Sequence, residues 1–184
     1  MTTRRKNIFT DQSGIAATEF ALLLPVLLAL MLGVYEISRY ILLHQKLERV
    51  AYTVADVTGQ QTAVTIAGLN DIMAAAIKIM DPYEFPDNGV IILTSVYQDP
   101  DDGPVVRWQY KGGGTLDRVS RIGEPGDTPQ LPTGLALNDS DNVIFSEVFY
   151  NYIPDFDEDY FATRENYKYA VFKPRLGALT TPPN

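Results

Sequence analysis

Glu19 stands five residues after Gly14 and directly before an uncharged run, Phe20 to Val34, FALLLPVLLALMLGV. A carboxylate at the edge of an apolar segment is costly and usually functional. Gly14 has no side chain, so a protease can bring its catalytic groups close to the following peptide bond. The pair therefore offers a cut ahead of the apolar run and a carboxylate about one helical turn beyond the new amine. Other chemistry is sparse. Asp155, Asp157, Glu158 and Asp159 cluster but lack the glycine and distal glutamate of an EF-hand. Asp99, Asp101 and Asp102 lie in a turn, where Asp is expected anyway. Calcium at either cluster is the alternative to plainly solvated acids. His44 is the single histidine, and polar filler is the simplest reading of it. No cysteine occurs, which excludes a disulfide scaffold, a thiolate-bound zinc and a thiol nucleophile. No nucleophile or general-base constellation stands out, so the expectation is a non-enzymatic protein with no cofactor, no metal and no small-molecule substrate.

The elements that carry Gly14 and Glu19 follow from charge and hydropathy. The 184 residues hold 15 Lys plus Arg against 23 Asp plus Glu, a net charge of −8. An acidic balance argues against nucleic acid as a partner, because binding it requires a basic face. The first 14 residues run the other way, with Arg4, Arg5 and Lys6 against Asp11 alone. The apolar run extends to Tyr35 and reaches roughly 24 Å as a helix, while a bilayer core needs about 30 Å. Ile15 to Thr18 on one side and Ile37 to Leu43 on the other complete the span, with Arg39 snorkelling. The positive-inside rule places Arg4, Arg5 and Lys6 in the cytoplasm and residues beyond about 40 on the far side.

Three readings compete for this N-terminus. A secretory signal peptide needs small residues at −3 and −1 just after the apolar run, and Tyr35-Glu36-Ile37-Ser38-Arg39 is a poor cut site. A plain signal anchor is the second. The third is a prepilin-type leader, in which a short basic segment ends in Gly and the helix is kept after the cut. The segment Ser13-Gly14-Ile15-Ala16-Ala17-Thr18-Glu19-Phe20 fits the third.

The stretch GIAATEFALLLPVLLALMLGVYEISRYILLHQKLERVA resembles the N-terminus of TadE-like pseudopilins of the tight-adherence (Tad/Flp) pilus system. Gly14, Ala16-Ala17-Thr18-Glu19-Phe20, Pro25, the Gly33/Glu36 pair and Gln45-Lys46-Leu47-Glu48 carry the likeness over residues 13 to about 55. A weaker echo is Val148 to Pro154, an aromatic strand ending in proline. The likeness does not separate TadE from its relatives TadF and TadG. It implies an integral-membrane prepilin peptidase that cuts between Gly14 and Ile15. It implies that Glu19, with Phe20 beside it, acts in assembly, the carboxylate meeting the freed amine of a neighbouring subunit. Burying the two charges as a pair is less costly than burying one alone. A solvated carboxylate at the membrane edge is the plainer reading of Glu19. Pro25 should bend or loosen the helix, or serve ordinary membrane-helix packing.

The helix should continue past the membrane. Tyr40, Leu43, Leu47, Val50, Val54 and Val57 fall at alternating steps of three and four, an apolar stripe for packing on the chain's own domain or on other subunits. Gly59 is the expected stop. Such a helix would be about 66 Å long. Leu69 to Met80 reads as a second helix ended by Asp81-Pro82. Val90 to Tyr97 and Val105 to Tyr110 flank the turn signal Asp99 to Pro104 and form a hairpin. Residues 112–142 read as a long loop, with a short helix near 115–121 as an option. Val143 to Ile153 and Tyr167 to Phe172 are the last strands, and the tail from Thr180 reads as mobile. Of the aromatic residues at 145, 149, 150, 152, 156, 160, 161, 167, 169 and 172, about half should be core by strand alternation, and the others are a candidate contact surface.

The expected fold class is α+β: a long membrane-spanning helix continuing into a pilin-like periplasmic domain with a small antiparallel sheet. The parts are a leader at 1–14, a membrane and spine helix at 15–59 and a periplasmic domain at 60–184. The expected function is a pseudopilin of Tad/Flp-type adherence pilus assembly, single-pass in the bacterial inner membrane, with other pilins, the Tad machinery and the prepilin peptidase as partners. The alternative is an unprocessed single-pass periplasmic scaffold that never enters a filament.

Overall fold

The computed structural model describes residues 14–155 and 163–184. Its elements are helix α1 (Ile15–Gly59), helix α2 (Ile66–Ile77), a 3₁₀ turn (Lys78–Met80), a one-turn helix α3 (Phe85–Asn88) and strands β1 (Gly89–Asp99), β2 (Gly103–Gly112), β3 (Asn142–Tyr152) and β4 (Arg164–Phe172). The strands form one antiparallel sheet in the order β2-β1-β3-β4. The α+β class, the long N-terminal helix and the small antiparallel sheet are therefore as the residues indicate. Of the described residues, those from Gly14 to Tyr40 belong to one compact unit and those from Ile41 on to another.

Within the second unit the sheet is covered on both faces, which is why β1 reads as a nearly continuous apolar run, GVIILTSV. Ring contact between Tyr52 of α1 and Phe172 of β4, with centroids 5.8 Å apart, puts the outer half of α1 on one face. Leu43, Leu47, Val50 and Val54 are fully buried there. Lys46 Nζ donates to the carbonyls of Ile79 and Asp81 at 2.7 and 2.8 Å and so caps the end of the second helical segment. Thr65 caps the start of α2, accepting from the Gly68 amide at 3.1 Å, so the helix begins three residues before the apolar pattern does. Tyr110 of β2 donates to Asn70 Oδ1 of α2 at 2.7 Å.

The other face is covered by the connection from β2 to β3. Ile122, Leu131, Leu135 and Leu137 pack on Val96, Val106, Val143 and Phe145. Leu116 packs on Val90, Ile92 and Phe149. The connection contains no helix, unlike the option at 115–121. Its donors are bound elsewhere: the Thr115 and Leu116 amides go to the carbonyls of Pro86 and Gly89, and the Arg121 amide to Glu147 Oε1. A helix over 115–121 would turn the Arg121 amide to the Asp117 carbonyl and so break its bond to Glu147. Glu147, fully buried in mid-strand, also accepts from Ser120 Oγ and from Tyr167 Oη at 2.9 Å. Burial first, and the Glu147 carboxylate next, push the Tyr167 phenol well above its ordinary value and keep it a donor.

The C-terminal segment is tied to the domain at Leu179, just before the tail that begins at Thr180, and at Asn184, the tail's last residue. Leu179 is buried, and its carbonyl accepts from Ser95 Oγ at 2.8 Å and Trp108 Nε1 at 2.7 Å. The Asn184 carbonyl accepts from the Ile66 amide at 3.0 Å. Thr-Pro-Pro-Asn gives no periodic signal, so these contacts had no trace in the local pattern.

Candidate functional site: the start of the apolar helix

Gly14 lies one residue before α1 and is exposed. A Cβ built on it would meet nothing within 4 Å. Among the described residues nothing therefore demands glycine at this position. Ile15 opens the helix, and Thr18 Oγ1 donates back to the Ile15 carbonyl at 2.8 Å. The first amides of a helix have no partner within it. A cut after Gly14 would place a charged amine among them.

Glu19 lies four residues after Ile15 and so falls on the same helical face, with Cβ atoms roughly 5–6 Å apart. It is exposed, as is Phe20 at 58%. The helix then presents Leu22, Leu23, Val26, Leu27, Leu30 and Met31 outward. An 18-residue window of α1 has mean hydropathy 2.3 and buries none of its residues. By length and composition the helix can cross a membrane. Pro25 sits inside it without interrupting the helical run. Ser38 Oγ donates to the Val34 carbonyl at 2.7 Å and so meets its own polar need inside the helix.

Of the stripe along the outer half, Leu43, Leu47, Val50 and Val54 are fully buried, and Tyr40 and Val57 are half-buried. The buried face also takes in Ala51, Ala55 and Thr58, a second row offset by one residue. Alanines score weakly in an apolar pattern, yet at these i, i+4 positions they allow close approach. The topology residues Arg4, Arg5 and Lys6 lie outside the described residues, as do Phe156, Asp157, Glu158, Asp159, Tyr160 and Phe161. Of the other aromatic positions, Phe145, Phe149, Tyr150 and Tyr152 are buried, Tyr167 and Phe172 half-buried, and Tyr169 exposed.

Asp99 is occupied by its own turn. Its Oδ1 accepts the Asp101 and Asp102 amides, and its Oδ2 pairs with Arg107 at 3.3 Å. Among the described residues no three His, Cys, Asp or Glu side chains gather as a metal set. His44 is half-buried on the outer half of α1.

The family described as TadE-like protein matches residues 14–56, from Gly14 to Asp56. The matched stretch thus begins at the glycine and ends near the end of α1, and it links the chain to a role related to the Tad pilus. No curated protein and no solved structure matches the chain.

Proposed function

We propose that this chain is a membrane-anchored pseudopilin, a non-enzymatic component in the assembly of a Tad/Flp-type, type IV-like adherence pilus. A prepilin peptidase cuts between Gly14 and Ile15 on the cytoplasmic side. The helix stays in the inner membrane with its N-terminus in the cytoplasm, as Arg4, Arg5 and Lys6 favour, and residues 41–184 stand in the periplasm. Glu19 pairs with the freed Ile15 amine of a neighbouring pilin-type subunit. The outer half of α1 carries the sheet domain, so the partners are other pilins, the Tad machinery and the peptidase.

The observation that carries this reading is the start of α1. A glycine with no packing role directly precedes a helix that leaves its apolar half uncovered, and the TadE-like match begins at that same glycine. The test is a strain lacking this chain, with surface filaments counted by electron microscopy. Surface filaments should be lost and return with the wild-type gene. Unchanged filament numbers would refute the assembly role.

A further inference from the structure

Residues 113–141 join β2 to β3 without a helix or strand of their own. Connections of this length are uncommon in compact domains and are usually functional. This one lies over a whole face of the sheet. It hides Val96, Val106, Val143 and Phe145 in one cluster and Val90, Ile92 and Phe149 in another. The sheet beneath is held by antiparallel ladders between β1, β2 and β3, continuous between β1 and β3 and with one register shift, at Ser95/Val96, between β1 and β2. The connection is held differently. Leu116 N bonds the Gly89 carbonyl at 3.1 Å near one end, and Ser140 N bonds the Gln98 carbonyl at 2.9 Å near the other. Between them Gly126 N and the Asp127 carbonyl exchange bonds of 2.9 and 3.0 Å with Val106.

Side chains add further ties: Gln109 Nε2 donates to the Gly123 carbonyl at 3.0 Å, Lys111 pairs with Asp117 and Lys173 with Asp141, and the one buried cluster among them centres on Glu147. Glu147 is fully buried, and on that face of the sheet its cross-strand neighbours are Ile92 and Tyr169. Its carboxylate accepts from Ser120 Oγ, from the Arg121 amide at 2.9 Å and from Tyr167 Oη at 2.9 Å. The Arg121 guanidinium lies over the Tyr167 ring at 4.0 Å and reaches Glu165 Oε1 at 3.3 Å. Arg118 Nε pairs with the same Glu165 carboxylate. A buried carboxylate is a poor way to gain stability, since an apolar side chain of similar size often does as well. It is a good way to specify one arrangement of its partners. The backbone has positive φ at Gly113 (+81°) and Gly134 (+89°), values that residues with a Cβ rarely adopt.

We propose that residues 113–141 are a hinged strap latched by Glu147, able to leave the sheet as a unit while β1, β2 and β3 stay paired. Opening breaks the Glu147 cluster with its Glu165 pairs, the end bonds, and the mid-strap bonds of Val106 to Gly126 and Asp127 and of Gln109 to Gly123, but none of the ladders between β1, β2 and β3. It uncovers the apolar face around Val96, Val106 and Phe145. The device does not depend on the pilus reading and holds whether or not the leader is cut.

Hydrogen exchange on the full chain in detergent micelles tests it. In the wild type the amides of Leu116, Arg121 and Ile122 should exchange at least about 100-fold faster than the paired amides of β1 and β3, through an opening confined to the strap. Glu147→Gln keeps the shape and removes the charge. It should speed exchange at Arg121 and Ile122 a further ten-fold or so, raise binding of an apolar-surface dye, and leave β1 and β3 unchanged. Ser120→Ala removes one donor and should speed the same amides by about three-fold. It decides the matter if Glu147→Gln does not fold. Strap and sheet exchanging together in the wild type would overturn the proposal. So would variants that leave the strap rates unchanged or raise both sets equally.

Discussion

Glu19→Ala should abolish surface filaments while leaving the amount of protein in the membrane unchanged. Glu19 is exposed at the start of α1, so its removal disturbs no packing within the chain. Its effect must come from what it meets in a neighbour. In an apolar setting, removing one member of a buried pair leaves the other charge uncompensated, at about 3–5 kcal/mol. That corresponds to a loss of roughly two to four orders of magnitude in the contact's equilibrium constant. Glu19→Gln should fail nearly as badly, because an amide keeps the shape and lacks the charge. Filament counts and membrane immunoblots read the two quantities separately. Filaments at wild-type levels in either variant would show that the carboxylate has no part in assembly.

The second large effect concerns the other half of the same helix. Leu47→Ala removes a fully buried side chain against the sheet domain. Such truncations cost about 2–5 kcal/mol, out of the 5–15 kcal/mol that holds a typical domain together. The melting temperature of the full chain in detergent should fall by roughly 10 °C. Leu30→Ala is the same substitution in the apolar half, where the residue is 62% exposed. It should leave the melting temperature within about 1–2 °C, since a side chain exposed in the folded chain leaves no cavity when it is shortened. Equal shifts in the two variants would mean that burial along α1 does not divide as the two compact units do.

Both expectations rest on patterns that are visible in the amino-acid order. The steps of three and four from Leu43 to Val54 mark a helical face, and Gly59 marks its end, as observed. Alternation and the Asp-rich turn mark the β1–β2 hairpin, and the aromatic run marks β3. Gly14 and Glu19 stand out in the sequence because each is out of place, a glycine directly before an apolar run and an acid at its rim. What was not legible depends on contacts distant in sequence. Residues 112–142 are rich in Gly, Pro and Asp and carry no period. Their conformation is set by Val106, Phe145 and Glu147 across the sheet. The one local hint was Glu147 itself, a charge in the middle of VIFSEVFYNYI. The tail likewise takes its place from Trp108 and Ser95, more than 70 residues away. The start of α2 differed for a smaller reason: Thr65 supplies a cap, and propensity before Leu69 does not reveal it.

The direct measurement is the intact mass and N-terminal sequence of the chain purified from membranes, with and without an active prepilin peptidase. A chain that begins at Ile15 when the peptidase is active, and keeps residues 1–14 when it is not, is the expected result. A chain that retains Arg4, Arg5 and Lys6 in both cases would contradict it, leaving an uncut anchor whose Ile15 amine is never freed to meet Glu19.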